Sequence, residues 1–368
     1  MKRTSLIAAA AIAGVSAILL SACASSPSSS SPSASTTGST SASGSKTACV
    51  ILPDAASSPR WETLDRPDLQ NALTAAGFTA NIQNAQGDTG KYATIAQQEL
   101  AQGCGVMLLV DYNGAGQAVA ATAKAQGIPV IAYDRPITGA DYYVSFDNAK
   151  VGALEAQAVI DGLKAAGKSV ASSSIVFMGG DPSDGNAKMF HDGALAAFQA
   201  AGLTKPAAEP TGAWDQQKSA TNFENAFTSL NGKVDAVWVA NDTDAAGVIQ
   251  ILDKNHLKLP VSGQDASIVG LQNIVLGKQT GTVWKHVPDE AKAASDLAIQ
   301  LLNGQKPTVA KTLSDGTPYI AVTPVLVEAK ASGDVQDVEA VVKAGDAKAS
   351  DICNTAALQA ACATYGVK

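Results

Sequence analysis

From residue 47 to about 327, short unbroken apolar runs alternate with longer segments whose apolar residues recur every three or four positions. The runs at 49–52, 106–110, 130–133, 174–178, 236–240 and 280–284 predict strands covered on both faces, because a half-exposed strand would alternate instead. The segments 68–76, 89–102, 114–126, 150–166, 188–201 and 216–230 predict helices. Strand and helix alternating in this way predicts a doubly wound α/β fold with parallel sheets. The cadence occurs twice, over 49–147 and 174–265, and the chain is longer than one such core usually holds, so two Rossmann-like lobes are expected.

Both ends depart from this pattern. Lys2 and Arg3, an apolar run over 6–20 and the small residues Ser21 and Ala22 form the three-part layout of a signal peptide over 1–22. The apolar run is shorter than the roughly 20 residues a membrane span needs. Leu20-Ser21-Ala22-Cys23 resembles a bacterial lipobox, which implies lipidation of Cys23. An uncleaved anchor is the alternative, and both readings put the body outside the cytoplasm, at the outer face of the cytoplasmic membrane. Residues 24–45 are Ser, Thr, Ala, Gly and Pro without charge or aromatic ring, too little apolar surface to offset the entropy of ordering them. Residues 23–46 are therefore expected to be a lipidated flexible linker. At the other end, 346–368 is expected to be a helical appendage on the body.

The chain has 26 basic and 33 acidic residues, and removal of Lys2 and Arg3 leaves 24 against 33, a net charge of −9. Nucleic-acid binding is disfavoured by that balance. Besides Cys23, the cysteines are Cys49, Cys104, Cys353 and Cys362, an even number in a disulfide-permissive compartment. In a sheet of order 2-1-3 the first and third strands are neighbours, and Cys49 and Cys104 begin those strands, so they are expected to pair. Cys353 and Cys362 are paired by proximity in sequence. Zinc is not expected from this spacing, with only three histidines in the chain.

The candidate chemistry lies just after the apolar runs, where parallel α/β sheets bind ligands. Asp134 and Arg135 follow 130–133, Asn186 follows the turn after 174–178, Asn241 follows 236–240, and Asp265 and Lys285 end two further strands. A loop after the first run carries Arg60 and Trp61, and Trp214 stands in the polar segment Gly212-Ala213-Trp214-Asp215. Carboxylates that accept, cations that donate, amides that do both and an indole for an apolar C–H face suit a sugar.

Ala132-Tyr133-Asp134-Arg135, Val144-Ser145-Phe146-Asp147-Asn148, Gly179-Gly180-Asp181 with Asn186-Ala187, Ala240-Asn241-Asp242, Gly263-Gln264-Asp265-Ala266 and Thr282-Val283-Trp284-Lys285 resemble, in this order, the periplasmic sugar-binding proteins of ABC importers. Within these type I substrate-binding proteins the xylose-binding members are the most similar. The resemblance implies two lobes joined by three crossings, near 147, near 287 and between 319 and 323. It implies an N-terminal lobe of 47–147 with 287–318 and a C-terminal lobe of 148–286 with 319–345. It also implies sugar contacts at Arg60, Asp134, Arg135, Asn186, Trp214, Asn241, Asp265 and Lys285, to which Trp61 is added here. A monomer without cofactor is expected, with a monosaccharide, xylose first, as ligand and an ABC permease with its ATPase as partner. The first strand, with Leu52-Pro53-Asp54, and the cysteine-bearing C-terminal extension depart from the xylose-binding pattern.

Each residue has a plainer reading. Asp134 and Arg135 read as a surface ion pair, Asn186 and Asn241 as helix caps, Asp265 as a turn residue and Lys285 as a solvated strand end. Trp238 reads as core, and the side chains of Trp284 and Lys285 should point to opposite sides of their strand. A binding module feeding a chemoreceptor or another sensor is the second functional reading and a sugar-acting enzyme the third. No GxSxG elbow, HExxH helix or GxGxxG turn occurs in the chain.

Overall fold

The computed structural model describes residues 45–368. The expected signal peptide, Cys23 and the tether up to residue 44 lie outside the described residues. In chain order the strands are β1 (Thr47–Leu52), β2 (Thr79–Asn84), β3 (Val106–Leu109), β4 (Val130–Tyr133), β5 (Tyr142–Phe146), β6 (Ile175–Met178), β7 (Ala236–Val239), β8 (Gly281–Trp284), β9 (Lys311–Thr312), β10 (Pro318–Val322), β11 (Val325–Glu328) and β12 (Gln336–Asp337). The helices are α1 (Arg66–Ala75), α2 (Thr89–Gln102), α3 (Ala115–Ala125), α4 (Asn148–Ala165), α5 (Gly185–Ala200), α6 (Gln216–Ser229), α7 (Asp242–Lys254), α8 (Ile268–Val275), α9 (Val287–Leu302), α10 (Val338–Ala344), α11 (Ala349–Ile352) and α12 (Ala356–Tyr365).

The first lobe is a seven-stranded sheet of order β2-β1-β3-β4-β5-β10-β9, parallel except for β9. Alternate side chains of β1 serve two cores. Ala48, Val50 and Leu52 meet Leu69 and Leu73 of α1 and Leu297 of α9, while Cys49 and Ile51 meet Tyr92 and Ile95 of α2 and Val119 of α3. Helices on both faces are the reason β1 reads as an unbroken apolar run. Full burial of each such Val, Leu or Ile stabilises the fold by about 1.5–3 kcal/mol relative to exposure.

The second lobe repeats the plan. β6 and β7 pair in parallel, with α4 and α5 on one face and α6 and α7 on the other. Parallel bridges Val237↔Val261 and Gln264↔Val283 carry the sheet across to β8, to which β11 is antiparallel. Trp238 is core as expected, its indole N–H donating to Glu155 at 2.8 Å.

The chain passes between lobes after β5, after β8 and after β10. The third passage corrects the expected boundary of 318/319, because β10 continues to Val322 in register with β5, Tyr319↔Tyr143 to Val322↔Phe146. The change of lobe falls at Thr323 and Pro324, between β10 and β11. A second correction concerns Trp61, expected in a loop. Trp61–Asp65 forms a π-helical run that continues directly into α1.

Both disulfides are present, Cys49–Cys104 and Cys353–Cys362, with Cα atoms 5.8 and 6.1 Å apart. The C-terminal segment packs on the second lobe, with Val341, Ile352, Leu358 and Cys362 against Leu271, Ile274 and Val275 of α8. That packed unit begins at Val338 of α10, earlier than residue 346. Among the described residues no helix is long and apolar enough to cross a membrane.

Glu99 of α2 is buried beside the Cys49–Cys104 bridge, and neither carboxyl oxygen has a hydrogen-bond partner. Burial pushes this carboxyl up to about 8. An acid raised on folding binds its proton more tightly in the native state, so stability falls as pH rises from its unfolded value near 4.5 towards 8. The full rise corresponds to a loss of about 5 kcal/mol across that window. Glu99→Leu should raise the urea midpoint more at pH 8 than at pH 4, and an equal effect at both pH values would refute the assignment.

Candidate functional site

Segments following strands of both lobes meet in one buried cluster. Arg60, Trp61, Asp134, Arg135, Asn186, Trp214, Asn241, Asp265 and Lys285 all line a single small cavity of about 20 Å³. Eight of the nine are less than one-tenth exposed and Asp265 is partly buried, so the surface-pair reading of Asp134 and Arg135 and the solvated reading of Lys285 both fail.

Asp134 is the junction. From its own lobe it accepts from Arg60 Nη1 at 3.0 Å, and from the opposite lobe Lys285 Nζ lies 3.5 Å away and Asn186 Nδ2 donates to its carbonyl at 2.8 Å. Burial raises the Asp134 carboxyl, but Lys285, Arg60 and Arg135 outweigh this and hold it below the usual carboxylate range. Burial opposes the Lys285 ammonium, yet Asp134 and Asp265 hold its proton more tightly than usual. Arg60 is gripped from behind by Asp65, at 2.9 Å to Nε and 2.7 Å to Nη2, and by Glu290 of α9. Arg135 does not pair with Asp134. Its Nε lies 3.0 Å from Asp184 in the opposite lobe.

Further bonds shut the cleft. Ser58 Oγ donates to Asp265 at 3.0 Å, Asn241 Nδ2 to the Ser57 carbonyl at 3.3 Å, and Tyr143 Oη to Asn186 at 2.7 Å. Asn241 also caps α7, its Oδ1 accepting from Asp244 N–H at 2.8 Å, so the capping reading and the site reading hold together. Asn186 is not a cap, because Asp184 caps α5. Lys285 faces the cavity while Trp284 turns away to donate to Asp346 at 2.7 Å.

Three site residues adopt left-handed backbone: Asp134 (φ 60°), Trp214 (φ 57°) and Asp265 (φ 92°). Such conformations cost roughly 1–3 kcal/mol for residues other than glycine and persist only where the surroundings impose them. The Trp214 ring lies directly over Gly180, where an added Cβ would fall 1.9 Å from it. Trp61 lines the cavity beside two of its cations. The Arg60 and Arg135 guanidiniums sit 4.7 and 5.5 Å from its ring centre, and its N–H donates to Ser57 Oγ at 3.1 Å.

Sequence reasoning missed Ser57, Ser58, Asp184, Phe190 and Gln264 in the lining, and Asp65 and Glu290 behind Arg60. Asp184 had a legible signal, lying two residues before Asn186 at the start of a helix. Glu290 had none, since its partner is 230 positions away.

Comparison with known proteins places this geometry. A model described as the periplasmic binding protein domain matches residues 49–306. The chain belongs to the periplasmic binding protein family. Among family members, the D-xylose-binding periplasmic protein of Escherichia coli (strain K12) is 34% identical over 305 residues, covering 80% of this chain and 88% of the relative. The multiple sugar-binding periplasmic receptor ChvE of Rhizobium radiobacter is 31% identical, over 77% of this chain and 86% of its own. The carbohydrate transporter solute binding protein from Chloroflexus aurantiacus, solved in complex with D-glucose, superposes with a TM-score of 0.71 at 27% identity, covering 83% of this chain and 98% of that one. The fold is the type I periplasmic-binding-protein fold, and its two lobes contribute opposite walls of the cavity.

Proposed function

We propose that this periplasmic binding protein is an extracytoplasmic sugar receptor that encloses a monosaccharide, D-xylose first, between its lobes and delivers it to an ABC importer. One observation carries the reading. Three cations, three carboxylates, three carboxamides and two indoles line one buried cavity, drawn from both lobes. Hydroxyls both donate and accept, so a ring bearing several of them can satisfy every such group at once. The names of the relatives, one xylose-binding and one for multiple sugars, support a sugar and favour xylose.

Contacts from both lobes give the closed form its differential affinity for ligand, which any ligand-driven closure requires. Asp134 and Asp265 both lie beside Lys285, at 3.5 and 3.3 Å. Asp134 is held ionised by its cationic neighbours and is a poor general acid, which favours binding over glycoside cleavage. Lipidation of Cys23 would keep the receptor beside its permease and ATPase through the tether. Delivery to a sensor is the second reading.

A thermal-shift screen with xylose, arabinose, glucose and galactose, followed by calorimetry, tests the proposal. A sugar-dependent rise in Tm with saturable one-to-one heat is expected, largest for xylose. Flat responses to all four sugars at millimolar concentration would overturn it.

A further inference from the structure

The segment Asn241-Asp242-Thr243-Asp244 opens α7 directly behind the cavity. Asn241 alone of the four lines it, yet Asp242 and Asp244 are almost fully buried. Burial pushes both carboxyls up, Asp242 to about 7. Acids retained at that cost need a reason beyond capping, which Asn241 already supplies.

Asp242 grips the turn that presents Asp265. Its Oδ2 accepts from Ser267 N–H at 2.8 Å and Ser267 Oγ at 3.0 Å, and its Oδ1 from Gln279 Nε2 at 2.8 Å and Thr282 Oγ1 at 2.9 Å. Thr282 Oγ1 in turn accepts from Ala266 N–H at 3.2 Å, and the Asp242 N–H donates to the Gln264 carbonyl at 3.0 Å. Asp265 and Ala266, both left-handed at φ 92° and 48°, are thus bracketed on each side. Asp244 does the same for the turn that presents Trp214. Its Oδ1 accepts from Asp215 N–H at 3.1 Å, with Trp214 N–H also directed at the carboxylate, while Ala213 and Trp214 are left-handed at φ 54° and 57°. Glycines make room for both acids. A Cβ at Gly263 or Gly270 would fall 2.2 or 2.1 Å from Asp242, and one at Gly212 would fall 2.3 Å from Asp244.

We propose that Asp242 and Asp244 are positioning residues for sugar binding, Asp242 acting through Asp265 and Asp244 acting through Trp214. The proposal rests on the cavity being the sugar site. It assigns to one four-residue segment both strained turns of the second lobe's wall.

Double-mutant cycles test it, because residues that act through one another are non-additive while independent ones add. Affinity for D-xylose, with D-glucose in parallel, would be measured by calorimetry on the folded body in Asp242→Asn, Asp244→Asn, Asp265→Asn, Trp214→Phe and their pairs. Asp242→Asn is expected to weaken binding roughly 10- to 100-fold, about 1.4–2.8 kcal/mol. That loss should vanish in the Asp265→Asn background and persist in the Trp214→Phe background, with the mirror result for Asp244→Asn. Thr282→Val, which removes one bond to Asp242, should follow the Asp242 pattern and serves if Asp242→Asn does not fold. The ligand-induced fluorescence change that Trp214→Phe removes should also be lost in Asp244→Asn and kept in Asp242→Asn. Equal losses in every background would overturn the positioning roles while leaving the sugar site intact. Unchanged affinity in both Asp265→Asn and Trp214→Phe would instead overturn the site itself.

Discussion

Replacing Asp134 by alanine is expected to weaken sugar binding by roughly 10²–10³-fold and to destabilise the fold at the same time. The carboxylate sits between the Arg60 guanidinium at 3.0 Å and the Lys285 ammonium at 3.5 Å, with no more than one-twentieth of any of the three side chains exposed. Removing one member of a buried ion pair leaves the remaining charge unsolvated, which typically costs 3–5 kcal/mol. Part of that cost falls on the open protein, because Arg60 belongs to the same lobe as Asp134. The rest falls on closure, because Lys285 arrives from the other lobe. Calorimetry separates the second part from the first, and urea denaturation without sugar reads the first alone. Asp134 also fixes a pH expectation. Its folded value is lowered, so its contribution is fully present above the unfolded value near 3.8 and is lost only as pH falls through the lower folded value. Between pH 5 and 8 this group should give affinity no pH dependence. Binding by Asp134→Ala within tenfold of the parent protein would mean that the ligand sits elsewhere.

Breaking the Cys49–Cys104 bridge should be the costliest change to stability away from the cavity. The cysteines are 55 positions apart, and a loop of that length confines the unfolded chain by about 4 kcal/mol at 25 °C, against about 3 kcal/mol for the short Cys353–Cys362 loop. The bridge joins the beginnings of β1 and β3, neighbouring interior strands of the first sheet. A paired Cys49→Ala and Cys104→Ala variant should therefore shift the midpoint of the global urea transition. A paired Cys353→Ala and Cys362→Ala variant should mainly loosen α11 and α12, read as faster amide exchange over 346–368. If the first pair left the global midpoint unchanged, the bridge would carry no stability.

The site was legible to the extent that it depends on strand ends. Asp134, Asn241 and Lys285 stand one or two positions beyond buried apolar runs, and in a parallel sheet that address alone directs a side chain to the cleft. Cys49 and Cys104 were legible for a related reason, since neighbouring strands of known order bring their first residues together. The third lobe boundary was set too early, at 318/319, because β10 is half-buried along its whole length and carries no unbroken apolar signal. Trp61 was assigned to a loop because a π-helical run has no periodicity that a strand-and-helix reading detects.

The expectation raised by the first residues was export, and that part rests on sequence alone, since 1–44 lie outside the described residues. Hydrophobic pattern by itself determined the doubly wound plan, the two lobes and the addresses of the polar residues, because burial on two faces is written locally into each strand. Only the tertiary structure decided who partners whom. Glu290 finds Arg60, Asp184 finds Arg135, and Asp242 and Asp244 find the turns of Asp265 and Trp214. These pairings depend on distances closed by folding, from 25 to 230 residues apart in sequence, and no local pattern of side chains encodes them.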